Sequence, residues 1–332
     1  MTERFTLLKT WLHTQLGNQR VQLIPITDDA SFRRYFRITL GESRYVVMDA
    51  PPDKENCQPF INVGQHLFKW GLTVPRIIAQ DLKQGFLLLS DLGSQLYLSH
   101  LNEQCVDSLY HDALRALVVM QSRSKEIELP LYDHALLHQE MQLFIDWLVG
   151  QHLKLKLTEK ELNSVYPCFE LLSQSALAQP QVLVHRDYHS RNLMVLPVGN
   201  PGILDFQDAV KGAITYDLVS LLRDCYIAWP LERVEHWIDE YLTLAQAAGL
   251  IATPDRAQFQ RWFDWMGIQR HLKASGIFAR LYHRDGKAGY LQDIPRTLTY
   301  IVEVSAHYPE LKALHQLIRQ QVLPNYSLAQ VS

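Results

Sequence analysis

Within the stretch "LVHRDYHSRNLMV", Asp187 precedes Asn192 by five positions, and Asp205 follows Asn192 by thirteen. Two apolar runs lie between Asn192 and Asp205, joined by "PVGNPG", a pattern that predicts a hairpin returning Asp205 to the side of Asn192. A carboxylate and an amide–carboxylate pair at one end of a small buried sheet suit a particular chemistry. One carboxylate can accept or orient the proton of an attacking hydroxyl. The other, with an amide oxygen, offers hard ligands for Mg²⁺ on nucleotide phosphates. Phosphoryl transfer needs that inventory. The alternative is a polar loop held by its own capping groups, since Asp and Asn are common in turns.

The offsets also match the order His-Arg-Asp-x-x-x-x-Asn followed by Asp-Phe, here His185-Arg186-Asp187 to Asn192 and then Asp205-Phe206-Gln207. On these residues, with "GFLLLSDLG", "ILDFQDA" and "YDLVSLL", the chain resembles the aminoglycoside phosphotransferase family, the small-molecule branch of the protein-kinase-like fold. The stretches "DASFRRYFR", "VVMDAPP", "HRDYHSRNLM" and "GIFARLYHRDGK" look closest to bacterial kinases of N-acetylmuramate and N-acetylglucosamine. That resemblance implies an ATP- and Mg²⁺-dependent kinase of the anomeric hydroxyl, serving cell-wall sugar recycling. It makes Asp187 the general base or hydroxyl-orienting group, and Asn192 and Asp205 the metal ligands. His185 is expected to brace the loop through the backbone. His189 is a candidate γ-phosphate contact, and Asp217 is read as structural, an N-cap or a brace of the catalytic loop.

The parts that grip nucleotide depart from the kinase pattern. The expected strand lysine position is Met48, and the helix after Pro59 contains no glutamate, so both members of the usual ion pair are missing together. In their place "TDDASFRRYFR" supplies Ser31, whose hydroxyl and backbone could approach phosphate, and Arg33 and Arg34. Strand alternation puts Ser31, Arg33, Tyr35 and Arg37 on one face, and Phe32, Arg34, Phe36 and Ile38 on the core face. Arg33 is therefore the favoured cation. The base edge is expected along Leu88 to Leu92, with Leu89 and Asp91 as candidates by position.

For the acceptor, residues 261–290 hold six Lys or Arg against two acids, which predicts a basic wall suited to a carboxylate-bearing sugar. Arg270 and Lys273 are the candidates there, and Asp208 and Asp224 are candidates for sugar hydroxyls. Trp229, Trp262 and Trp265 are read as core rather than as a sugar platform. Two other readings stay open. One is a kinase of the same family acting on an aminoglycoside, choline-like or homoserine-like alcohol. The other is an inactive kinase-like binding module.

These groups need a scaffold. From Val21 to Leu89 short β-branched and aromatic runs, with "LGES" as a turn, predict an antiparallel sheet with one inserted helix near residues 59–70. After Asp91 three- and four-residue apolar spacing predicts helices. The expectation is an α+β, two-lobe protein-kinase-like fold: residues 1–90 as a mainly antiparallel β lobe that grips nucleotide, and 91–332 as a helical lobe with catalytic loop and acceptor site. An amphipathic surface helix is expected at residues 5–16. The chain's 332 residues carry 47% hydrophobic and 20% charged side chains and a formal charge of −3, which offers no basic field for nucleic acid. The four cysteines are scattered, and no run of some 18 uncharged apolar residues occurs. A cytoplasmic protein with a small-molecule partner, no nucleic acid, no membrane and no obligate protein partner is expected.

Overall fold

The structure, a computed structural model, describes residues 3–17, 19, 21–26, 32–253 and 255–329. In chain order the strands are β1 (Ile24–Pro25), β2 (Arg34–Leu40), β3 (Ser43–Asp49), β4 (Ile77–Asp81), β5 (Phe86–Ser90), β6 (Gln181–Val184), β7 (Leu193–Met194), β8 (Gly202–Ile203) and β9 (Val210–Ala213). The chain divides into two compact units. One comprises Met1–Leu96 with Leu193–Asp208, and the other Tyr97–Asn192 with Ala209–Ser332.

In the strand-rich unit, β1 to β5 form one antiparallel sheet in the order β1-β2-β3-β5-β4. Leu40 pairs with Ser43, and Gly41 supplies the positive φ of 62° that a two-residue hairpin turn requires at its first position. Helix α1 (Glu3–Gln15) lays Leu8, Trp11 and Leu12 on the sheet against Phe36, Ile38, Val47, Phe86 and Leu88. The expected surface helix thus closes this part of the unit's core. Helix α2 (Gln58–Lys69) is the predicted insertion. Phe206 stacks on its Phe60 at 4.9 Å between centroids, and a Cβ on Gly64 would come 3.0 Å from the Phe206 ring.

The division does not follow a single cut at residue 90. The chain stays with the strand-rich unit through Leu96, and the hairpin of β7 and β8 joins it. The Ile203 amide donates to the Thr73 carbonyl at 2.8 Å and the Val195 amide to that of Gln95 at 2.8 Å. Unsatisfied backbone in short strands is costly when buried, and these bonds anchor the hairpin there.

In the helical unit, α3 (Tyr97–His100), α4 (Val106–Ser122), α5 (His134–Leu143) and α6 (Glu159–Leu177) precede β6, which pairs antiparallel with β9. Then follow α7 (Tyr216–Leu222), α8 (Leu231–Ala247), α9 (Arg256–Asp285) and α10 (Ile294–Ser305). Helix α9 is the axis of this unit. Asp255 caps its first turn through the Ala257 and Gln258 amides, and Gly286 ends it in the left-handed region at φ 71°. A Cβ on Gly276 would lie 2.3 Å from the Leu143 carbonyl carbon, so glycine lets α9 pass directly against the end of α5. Trp265, Ile268, Leu272 and Phe278 carry the apolar packing along α9 into the core of this unit.

No helix of the described residues is long and apolar enough to cross a membrane. All four cysteines are free.

Candidate active site

The strand β6 ends at Val184, and the chain then turns through His185 to Asn192. Two buried aspartates hold this turn. Asp217, in the first turn of α7, accepts the His185 amide at 2.6 Å and the Arg186 amide at 3.0 Å. Asp224 accepts the Ser190 amide at 2.9 Å and the Tyr226 amide at 2.9 Å. Asp217 is therefore the brace anticipated for it rather than a helix cap. Asp224 was expected to bind sugar hydroxyls, but each of its carboxylate oxygens receives a backbone N–H. Burial raises the Asp217 carboxyl to about 6, against the pull of His185 and the two amides.

Arg186 adopts a left-handed backbone at φ 76°, and its side chain reaches Glu140 on α5. Such a conformation is uncommon outside glycine and persists where surrounding bonds over-determine it. Lys273 of α9 also pairs with Glu140, at 3.1 Å, and donates to the Tyr216 hydroxyl at 2.9 Å. The Tyr132 hydroxyl donates to the same carboxylate. Glu140 was not anticipated, and it is the hub of this buried network. Burial would raise its carboxyl, but the charges of Lys273 and Arg186 outweigh that and lower it. Lys273, expected as an acceptor ligand, is engaged inside the protein.

Asp187 projects from the braced turn with 43% of its side chain exposed. The His185 ring nitrogen Nδ1 accepts the Asp187 amide at 3.3 Å, the backbone role expected of that imidazole. Burial acts to raise the Asp187 carboxyl, yet the nearby charges of Lys273, His189, Arg270 and Arg186 hold it down at about 2. Solvent screens part of that field at so exposed a group. Asn192 donates from Nδ2 to the Asp187 carbonyl at 3.1 Å, which fixes the orientation of its amide. His189 lies with Nε2 4.0 Å from Asp187 Oδ1. Burial lowers its pKa to about 4, so at neutral pH the ring is an uncharged hydrogen-bonding group rather than a phosphate-neutralising cation.

Arg270 is 4% exposed, with Nη1 3.5 Å from Cys225 Sγ. Asp187 and Asp224 are among the charges that raise its pKa, after burial, which lowers it. The expected basic wall does not form as a continuous face. Arg261 pairs with Glu310 at 2.8 Å, Arg284 with Asp285 at 2.9 Å and Lys273 with Glu140. Helical spacing distributes these side chains around α9, where each meets a different neighbour. Trp265 is buried in the core as anticipated, and Trp229 donates to the Tyr110 hydroxyl at 3.2 Å.

In the strand-rich unit, Arg33 is 8% exposed and pairs with Glu55 at 3.0 Å. The charges of Tyr35, Glu55, Asp208 and Asp205 raise its pKa against the effect of burial. Arg34 instead pairs with Asp49, which Arg4 also reaches at 2.6 Å. Strand β2 begins only at Arg34, so its alternation does not extend to Phe32, which is exposed rather than in the core. Ser31 lies outside the described residues. Met48 is fully buried, and α2 has no acid in its first turn. Leu89 sits in the ladder opposite Val46 and Ile77, and the Asp91 carboxylate is held by Arg37 at 2.6 Å. Asp208 is exposed, and the Gln207 side chain donates to Asp205 at 2.6 Å, with Asp205 itself at φ 61°.

As a donor set, Asn192 and Asp205 offer the hard oxygens that Mg²⁺ takes. Asn192 belongs to the helical unit and Asp205 to the strand-rich one.

The model of the phosphotransferase enzyme family matches residues 22–262. The chain is 46% identical over 327 residues to an N-acetylmuramate/N-acetylglucosamine kinase of Pseudomonas putida, covering 96% of each chain. It is 44% identical over 325 residues to a protein of the same name from Neisseria meningitidis serogroup B, again covering 96% of each. Among solved structures it resembles the choline kinase LicA of Streptococcus pneumoniae, with a TM-score of 0.62 at 13% identity over 91% of this chain and 100% of that one. An ADP-bound aminoglycoside phosphotransferase matches with a TM-score of 0.56 at 17% identity, over 89% of this chain and 97% of the other. These likenesses carry the kinase-like fold, a small antiparallel sheet unit and a larger helical one. With the family model spanning most of its length, this chain belongs to the phosphotransferase enzyme family.

Proposed function

We propose that the chain is an ATP-dependent kinase that phosphorylates the anomeric hydroxyl of N-acetylmuramate and N-acetylglucosamine, in the recycling of cell-wall sugars. The observation that carries this reading is the 46% identity to a kinase of that name, sustained over 96% of both chains. The braced Asp187 turn supports it from the chemical side.

Asp187 accepts a hydrogen bond from the attacking hydroxyl and aims it at the γ-phosphorus. A carboxylate held below its usual range is a weak base, so it orients the nucleophile and takes the proton late, as suits a loose phosphoryl transition state. His185 and Asp217 hold the turn that carries it. Asn192 and Asp205 are the residues that would hold Mg²⁺, which when bound offsets charge on the phosphates. Arg33, set by Glu55, takes the phosphate-facing place of the strand lysine. Ser31 and the neutral His189 are the further candidates for hydrogen bonds to phosphate. The backbone that follows β5, from Asp91, meets the base edge. Arg270 is the candidate for a carboxylate on the acceptor.

A coupled assay of ADP release with ATP, Mg²⁺ and a panel of alcohols tests the reading. Turnover with the two N-acetylated sugars, and none with choline, homoserine or an aminoglycoside, is expected. Turnover confined to a cationic alcohol would overturn it.

A further inference from the structure

A second cluster of ligand-bearing side chains lies in the helical unit, on residues the phosphotransfer reading does not use. His134 and His138 stand one turn apart on α5, so their rings share a face and stack at 4.4 Å between centroids. Glu170 of α6 faces both. Its Oε2 is 2.7 Å from His134 Nε2 and 3.4 Å from His138 Nε2. One ligand atom from each of the three lies within 4.8 Å of the others.

We infer that His134, His138 and Glu170 form a binding site for a zinc-class divalent transition metal, clamping α5 to α6. Two imidazoles and a carboxylate are a three-protein-ligand set that such ions take, with a fourth position left to solvent. Bonds of about 2.1 Å in a tetrahedron place ligand atoms about 3.4 Å apart. The His138–Glu170 pair already has that spacing. The His134–Glu170 pair needs to open by roughly 0.7 Å, a small rotation for side chains that are about half exposed.

Two further features fit. His138 Nε2 is shielded from solvent, and its 3.4 Å approach to Glu170 Oε2 is not a formed hydrogen bond, which leaves its lone pair available to a ligand. Gln174 donates to the other Glu170 oxygen, Oε1, at 2.7 Å, the kind of outer contact that orients a ligating carboxylate. Nitrogen donors disfavour Mg²⁺, so the site is chemically separate from the phosphate-bound ion. Helix α5 also carries Glu140, the partner of Arg186, so a metal here would steady the helix that supports the catalytic turn.

Metal-stripped, untagged full-length protein in excess Mg²⁺ would be titrated with Co²⁺ and followed by visible absorption. One equivalent giving the intense bands of a tetrahedral ion, displaced by Zn²⁺, is expected. Glu170→Gln and the double variant His134→Ala/His138→Ala should weaken binding roughly tenfold or more, with ATP turnover in Mg²⁺ alone unchanged. Absence of those bands, or binding of equal strength in the variants, would overturn the assignment.

Discussion

Arg33 and Glu55, 22 positions apart in the chain, form an ion pair 3.0 Å long in the strand-rich unit, and Asp205 and Asp208 add to the field on the same guanidinium. Kinases ordinarily keep a strand lysine with a helix glutamate, and here Met48 is apolar and buried. Arg33 is a cation with a fixed partner, and under the proposed function it serves the phosphates in that lysine's place. Arg33→Met is expected to raise the KM for ATP by roughly 10- to 100-fold, the worth of a hydrogen bond to a charged group, with a smaller effect on the KM for sugar. Steady-state kinetics at saturating acceptor checks it, and an unchanged KM for ATP would remove Arg33 from the phosphate site.

Asp187→Ala should lower kcat by about a thousandfold or more while leaving the melting temperature near that of the parent. The side chain is partly exposed, and the hydrogen bond to His185 Nδ1 is donated by the Asp187 backbone N–H, so the fold does not depend on the carboxylate. Single-turnover measurement with circular dichroism melting separates the two effects.

Glu140→Gln removes the charge on which Arg186 and Lys273 converge. Leaving two cations poorly paired in the interior is expected to cost about 3 to 5 kcal/mol of stability. The Arg186 backbone would lose its side-chain tether as well, so kcat should also fall. Urea denaturation and kinetics on the same preparation test this, and full stability in the variant would contradict it.

Buried His271 sets a pH dependence. Its Nε2 is 2.9 Å from the Arg223 carbonyl oxygen, and burial, then the charge of Arg270, lowers its pKa to about 3. A folded-state value below the unfolded one means the unfolded chain binds more protons between those values. The stabilisation is therefore present above about pH 6.5 and is lost as pH falls toward 3. Between pH 7 and pH 5 this group should account for about 2 kcal/mol of lost stability. His271→Gln should flatten that part of the urea midpoint against pH, and an unchanged slope would count against it.

Arg270→Met should raise the KM for N-acetylmuramate, which bears a carboxylate, by about tenfold or more, and leave that for N-acetylglucosamine within about twofold. Equal losses for both sugars would point to a role in the fold instead.

Much of the scaffold was readable from local pattern. The runs flanking "LGES" became β2 and β3, the insertion after Pro59 became α2, and "PVGNPG" joins β7 to β8. The offsets of Asp187, Asn192 and Asp205 identified the family, because backbone spacing in a loop is a local property. What depended on distant partners was not readable. Glu140 lies 46 residues from Arg186, on a helix whose periodicity signals only burial. Asp224 and Lys273 have residue types fit for sugar binding, and only the tertiary fold shows that amides and Glu140 engage them. The charges of α9 read as a wall in one dimension, but once wound on a helix Arg261, Lys273 and Arg284 each meet a different acid.

The most direct test is ³¹P NMR of the product after incubation with ATP, Mg²⁺ and either sugar. The account predicts a new phosphate resonance coupled to the anomeric proton, formed by the parent and missing with Asp187→Ala. Phosphate on any other carbon, or the same product formed at an undiminished rate by that variant, would contradict it.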